Sequence, residues 1–91
     1  MSARLVAFDV IKAVHRDDAY ANLVLPGELD AAGLSERDAG LATELTYGTL
    51  RRQGSLDAVI AACADRDIDD KVMDVLRLGA YQLLFMRIPA H

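Results

Sequence analysis

Apolar residues recur along this chain at steps of three and four, and no stretch alternates like a half-buried strand for more than a few residues. The pattern predicts an all-α protein of four helices, at about 3–16, 19–32, 36–64 and 69–88. Ser2 stands where an N-cap is needed, and behind it Val6, Val10 and Val14 fall on one stripe with Ala3 and Ala7. The second segment carries Pro26, which has no N–H and restricts Leu25, so a kink or split is expected there, with Gly33 as the stop. Ser35 and Asp38 resemble a capping box with Asp in place of Glu, and they open the longest element. Along it Leu41, Leu45, Gly48, Arg52, Leu56, Val59 and Cys63 make one continuous seam that Gly54-Ser55 can bend. The acidic run from Asp65 to Asp70 supplies a turn and a dipole-favoured start for the fourth helix, which ends before Pro89.

That fourth helix is apolar over most of its circumference. Val72, Leu76, Ala80, Leu83 and Leu84 cover a broad face, while Leu78, Tyr81 and Phe85 lie opposite among Lys71, Asp74 and Gln82. A helix of this kind is normally buried between layers, yet three preceding helices can cover only one side of it.

Composition narrows the function classes. A chain of 91 residues makes one domain and buries little more than ~60% of the surface its unfolded form exposes. No apolar run approaches the ~20 residues that cross a bilayer, and the opening residues lack the layout of a secretion signal, so a cytosolic location without membrane contact is expected. Cys63 is the single cysteine, and with only His15 and His91 beside it neither an internal disulfide nor a structural metal site is expected. Ten Lys and Arg stand against fourteen Asp and Glu. The net field therefore repels a phosphate backbone, and recruiting nucleic acid needs a local basic face or a neighbouring domain.

No catalytic residue is assigned. The sequence has no Gly-rich phosphate loop after a strand, no paired carboxylates on a recognisable scaffold, and no nucleophile with a base. Cys63 reads as a small buried hydrophobe in the seam, and His15 as a helix-end residue held by the dipole or by solvent. The candidates for function are basic. Arg4, Lys12, His15 and Arg16 share about a third of the circumference of the first helix with Phe8 between them. That face can hold a phosphate and stack a base, or it is an ordinary solvated face with Phe8 packed on the bend of the second helix. Arg52 falls in the apolar seam of the third helix, where it must snorkel or find a partner, while Arg51 points away. Gly48 costs about 1 kcal/mol of helix propensity and reads as a packing residue that lets another helix approach closely.

Two blocks, LATELTYGTLRRQGSLD at 41–57 and VLRLGAYQLLFMRIPAH at 75–91, with weaker support from AYANLVLP at 19–26, carry a family resemblance over nearly the whole chain. They resemble the helical N-terminal domain of the 16S (small-subunit) rRNA (cytosine-5)-methyltransferases of the Sun/Fmu type, a domain related to the antitermination factor NusB. The resemblance implies a NusB-like bundle truncated after its fourth helix, and a noncatalytic domain that positions RNA, rRNA in particular. In that family a separate Rossmann-like domain binds S-adenosylmethionine and supplies catalytic cysteines. The chain itself is therefore expected to hold no cofactor and to partner with that catalytic domain in the parent protein. It also singles out Arg4, Arg51, Arg52, Arg77 and Arg87 for RNA contact, beside Lys12 and Arg16, although several can equally serve as internal tethers. Pro89 to His91 begin a further helix in the family, whose later helices cover the fourth. Leu78, Tyr81 and Phe85 are then expected on an uncovered face, which a second copy can fill as a homodimer. Two other classes stay open: an antitermination-type RNA- and protein-binding factor, and a helical protein-interaction module with no RNA role.

Overall fold

The computed structural model describes residues 2–86. They form α1 (Ala3–Asp17), α2 (Ala21–Ala32), α3 (Glu36–Arg51), α4 (Gln53–Cys63) and α5 (Asp70–Tyr81), closed by a π-helical turn at Gln82–Met86. Readings placed on Arg87 and on Pro89 to His91 lie outside the described residues. Local chemistry sets most boundaries. The Ser2 side chain accepts from the Leu5 amide, Ser35 from the Asp38 amide and Asp69 from the Lys71 amide, each satisfying a donor that a helix start leaves free. At the other ends Asp18 and Gly33 adopt left-handed backbone, with φ of 53° and 61°.

Packing is organised around α1. Ala3, Val6 and Val10 join Leu25 of α2 and Ala42 of α3 in one buried cluster, while Ala7 and Ile11 join Leu45, Leu56, Leu78 and Tyr81 in a second. Ile11 is fully buried, so the inward stripe is wider than the Val6, Val10, Val14 series. The described residues fill a slab 39 × 32 × 19 Å, about two helix diameters thick, so the outer helices are covered on one side only.

Three elements depart from the sequence pattern. The α2 helix runs through Pro26 without a split. Pro26 and Asn22 are exposed, so water can solvate the carbonyl that Pro26 leaves without a partner, while Leu25 anchors the inner face. The predicted 36–64 helix is two helices that break at Arg52, where φ is −101° and ψ is 12°, two residues ahead of the expected bend. The break turns Leu56 into the core and brings Asp57 onto Arg77 of α5, and it leaves Cys63 exposed.

The third departure is the orientation of α5. Leu78 and Tyr81 were expected on the uncovered face and are buried, whereas Val72 and Leu83 of the expected inner side are 48% and 71% exposed. Polar groups decide the matter. Asp74, Arg77 and Tyr81 find partners on α1, α3 and α4, and burying those groups in a pairing-free environment would cost more than leaving valines and leucines in water. The surface once assigned to a second copy is therefore core, Phe85 excepted, which stays 40% exposed.

Tyr81 marks the tightest contact in this arrangement. Its hydroxyl donates to Glu44 Oε1 at 2.8 Å, and a Cβ built on Gly48 would stand 2.0 Å from that hydroxyl oxygen. Gly48→Ala should therefore destabilise the protein by about 1–3 kcal/mol in denaturant titration, through forced displacement of a buried ring. Gly40→Ala, in the exposed face of the same helix with nothing within 4 Å, should stabilise it by about 0.5–1 kcal/mol. Burial, reinforced by Glu44 against a weaker pull from Arg51 and Arg52, pushes the Tyr81 hydroxyl up from its ordinary value of 10.0. The unfolded chain thus loses this proton first. Stability from Tyr81 is complete below about pH 10 and falls as pH rises through the folded value, a loss that Tyr81→Phe should remove from an alkaline stability series.

Candidate functional site

The densest polar cluster forms where the end of α1, the start of α4 and the first half of α5 meet. Asp74 is 4% exposed, and its Oδ1 accepts from Arg77 Nη1 at 3.1 Å and lies 2.7 Å from His15 Nδ1. The other ring nitrogen of His15 is 2.7 Å from Gln53 Oε1. Arg77 continues the chain of contacts with a bidentate pair on Asp57, Nε to Oδ1 at 2.6 Å and Nη2 to Oδ2 at 3.0 Å. Its hydrogen bond to Asp57 outweighs desolvation and raises the guanidinium above its ordinary value, so it stays charged at every working pH.

Beside this cluster opens a cleft of about 580 Å³, lined by Lys12, Arg16 and Lys71 as well as by Asp69 and Asp70. Its cations and carboxylates lie side by side, so the cleft carries no concentrated charge of either sign. The described residues contain no group of three or more His, Cys, Asp or Glu side chains placed to hold a metal ion. What the arrangement does chemically is to clasp three helices together.

The residues singled out in the sequence divide into four groups. Lys12 and Arg16 line the cleft; the His15–Gln53 contact sets that end of α1 beside the α3–α4 corner carrying Arg51 and Arg52, both exposed. Arg4 stands apart at the other end of α1, where its Nε donates to Gln82 Oε1 at 2.7 Å. Arg77 is an internal tether, and Arg87 lies outside the described residues. Arg52 does not sit in an apolar seam. It caps α3 and carries its guanidinium over the Phe85 ring, 4.4 Å from the centroid. Phe8 packs against the buried cluster of Ile11, Leu78 and Tyr81 rather than against the one that Leu25 of α2 joins, with the Lys12 ammonium 5.4 Å from its centroid.

The clasp itself was not visible to sequence reasoning. His15 and Asp74 are 59 residues apart, and periodicity places each on a helix without saying which helices touch. The available signal was the pair Asp74 and Arg77 at i and i+3, flanking Leu78 on the face of α5 that also carries Tyr81.

Comparison with known proteins gives a consistent picture. The NusB family profile matches residues 1–91. A putative methyltransferase of Mycobacterium tuberculosis is 56% identical over 98% of this chain. Ribosomal RNA small subunit methyltransferase B of Pseudomonas putida is 39% identical over all of it, and the probable enzyme of that name from Synechocystis is 36% identical over 99%. The chain spans only about a fifth of the length of these relatives: 20%, 21% and 21% respectively. No solved structure matches the chain.

The division into tether and free cation has a direct consequence. Arg77→Met leaves the buried Asp74 with His15 alone and should cost about 2–4 kcal/mol, read as a drop in Tm of ~8 °C or more. Arg51→Ala should stay within about 0.5 kcal/mol of the parent. Equal Tm values for the two variants would show that Arg77 is not a tether.

Proposed function

The chain belongs to the NusB family, and on that premise we propose that it is the noncatalytic RNA-binding part of a larger S-adenosylmethionine-dependent enzyme that methylates a cytosine of small-subunit rRNA at C5. The observation that carries the reading is the match of 98% or more of the chain to about a fifth of several relatives named as methyltransferases. The described residues do not fit S-adenosylmethionine: they form helices only, with no Gly-rich loop leaving a strand, and the buried carboxylate at the wall of their most polar cleft is already paired with His15 and Arg77. Cofactor binding and the attacking cysteine are therefore assigned to the remainder of the longer protein, and the setting of such an enzyme is the cytoplasm.

Two surfaces suit this division of labour. The end of α1 and the α3–α4 corner offer Lys12, Arg16, Arg51 and Arg52 to a phosphate backbone. The outer side of α4 and α5 is an apolar groove of about 570 Å³ between Val59, Cys63, Leu76 and Leu83. A patch of this kind marks an interaction surface. Because the relatives are about five times as long as this chain, its occupant is assigned to the polypeptide of the parent protein rather than to a second copy. The net charge of −4 keeps the affinity for RNA low when the domain acts alone.

The 91-residue chain should bind small-subunit rRNA weakly, with a shallow dependence of log K on log salt, and should transfer no methyl group by itself. Arg16→Ala combined with Arg51→Ala should flatten the salt slope by about 1.4, at ~0.7 per lost phosphate contact on a single strand. An unchanged slope and affinity at unchanged helicity removes these residues from the surface. Cytosine methylation by the 91-residue chain would falsify the noncatalytic assignment.

A further inference from the structure

We propose that Phe85 and Arg52 form a stacking shelf for one unpaired nucleobase, a proposal that rests on the RNA-binding reading and gives it a substrate form. The shelf has a rigid floor. Phe85 lies on Tyr81 with ring centroids 5.6 Å apart and planes 28° from parallel. Tyr81 is buried, tied by its hydroxyl to Glu44, and backed by the bare Cα of Gly48, so it cannot give way beneath a ligand. Phe85 itself keeps 40% of its surface exposed, and it sits in a π-helical turn, a helix irregularity frequent at functional sites.

The lid is a guanidinium. Arg52 lies over the ring at 4.4 Å from its centroid, and among the described residues it makes no ion pair with a carboxylate. An aromatic face paired with a movable arginine plane matches a nucleobase, which stacks on rings and guanidinium groups alike. The base enters between the two planes as Arg52 swings outward, and it exchanges one cation–π contact for two stacking contacts. Arg51, exposed and next to it in sequence, is the cation this proposal assigns to the adjoining phosphate. Nothing at the shelf presents a donor and acceptor pattern to a base edge, so the site distinguishes unpaired from paired nucleotides and not one base from another. A-form duplex keeps its base faces stacked internally and offers none to Phe85.

The test uses the chain with a short oligoribonucleotide carrying 2-aminopurine, free or annealed to its complement. The single strand should bind with quenching of the base fluorescence and the duplex without it. Phe85→Leu, which keeps apolar bulk and removes the π face, should weaken single-strand binding about tenfold and leave duplex affinity unchanged. Arg52→Gln, at an exposed position, should reduce the quenching and serves as the deciding variant if Phe85→Leu lowers helicity. Binding of the single strand without quenching, or with parental affinity in both folded variants, overturns the shelf and leaves the RNA-binding reading standing. Absence of binding to either RNA overturns both.

Discussion

A buried carboxylate with two partners on different helices is the constraint to which the rest of this bundle conforms. Asp74 is removed from water, which is tolerable only because His15 of α1 and Arg77 of its own helix meet it, and Arg77 in turn is held by Asp57 of α4. Those contacts fix which side of α5 faces inward, where α4 must lie, and how far the end of α1 reaches. Once they are made, Leu78 and Tyr81 enter the core beside Ala7, Ile11, Leu45 and Leu56, and Gly48 becomes the position that α5 presses on. Hydrophobic burial supplies most of the driving force, but it is not directional, and α5 has enough apolar surface to be buried either way round.

The consequence for function is a separation of surfaces. Polar pairing consumes Arg77 and draws one face of α5 inward, so the outward face keeps Val72, Val75, Leu76 and Leu83 in solvent. Arg16, Arg51 and Arg52 are left outside the clasp on the neighbouring end of the bundle, and Phe85 is left above the core on Tyr81. The domain therefore presents exposed cations and an aromatic ring on one surface and an apolar flank on another, and the proposed function assigns the first to RNA and the second to the longer polypeptide.

Much of the fold was legible in the sequence because it depends on local rules. Ser2, Gly33 and Ser35 act at helix ends through their own side chains or backbone freedom, and the α1 stripe follows from helical period. Pro26 misled because its cost depends on whether the freed carbonyl reaches water, which a sequence does not state. The break at Arg52 and the inversion of α5 were illegible for one shared reason. Both are set by contacts between residues 20 to 59 positions apart, Asp57 with Arg77 and His15 with Asp74, and an apolar face on either side of α5 satisfies the periodicity equally well. Among the candidate basic residues, the pattern could not separate tether from free cation. That distinction needs the identity of the facing helix, which put Arg77 inside and left Arg51 outside.

The most direct measurement is the stability change on Asp74→Leu by urea denaturation in two backgrounds, the parent and a His15→Ala, Arg77→Met double variant. If Asp74 orients the bundle through its two partners, the substitution should destabilise the parent by about 1–3 kcal/mol, by removing a satisfied charge network. In the double variant it should become neutral or stabilising, because it then removes an unpaired buried carboxylate. Destabilisation of similar size in both backgrounds would contradict the account, since the carboxylate would then be acting independently of His15 and Arg77.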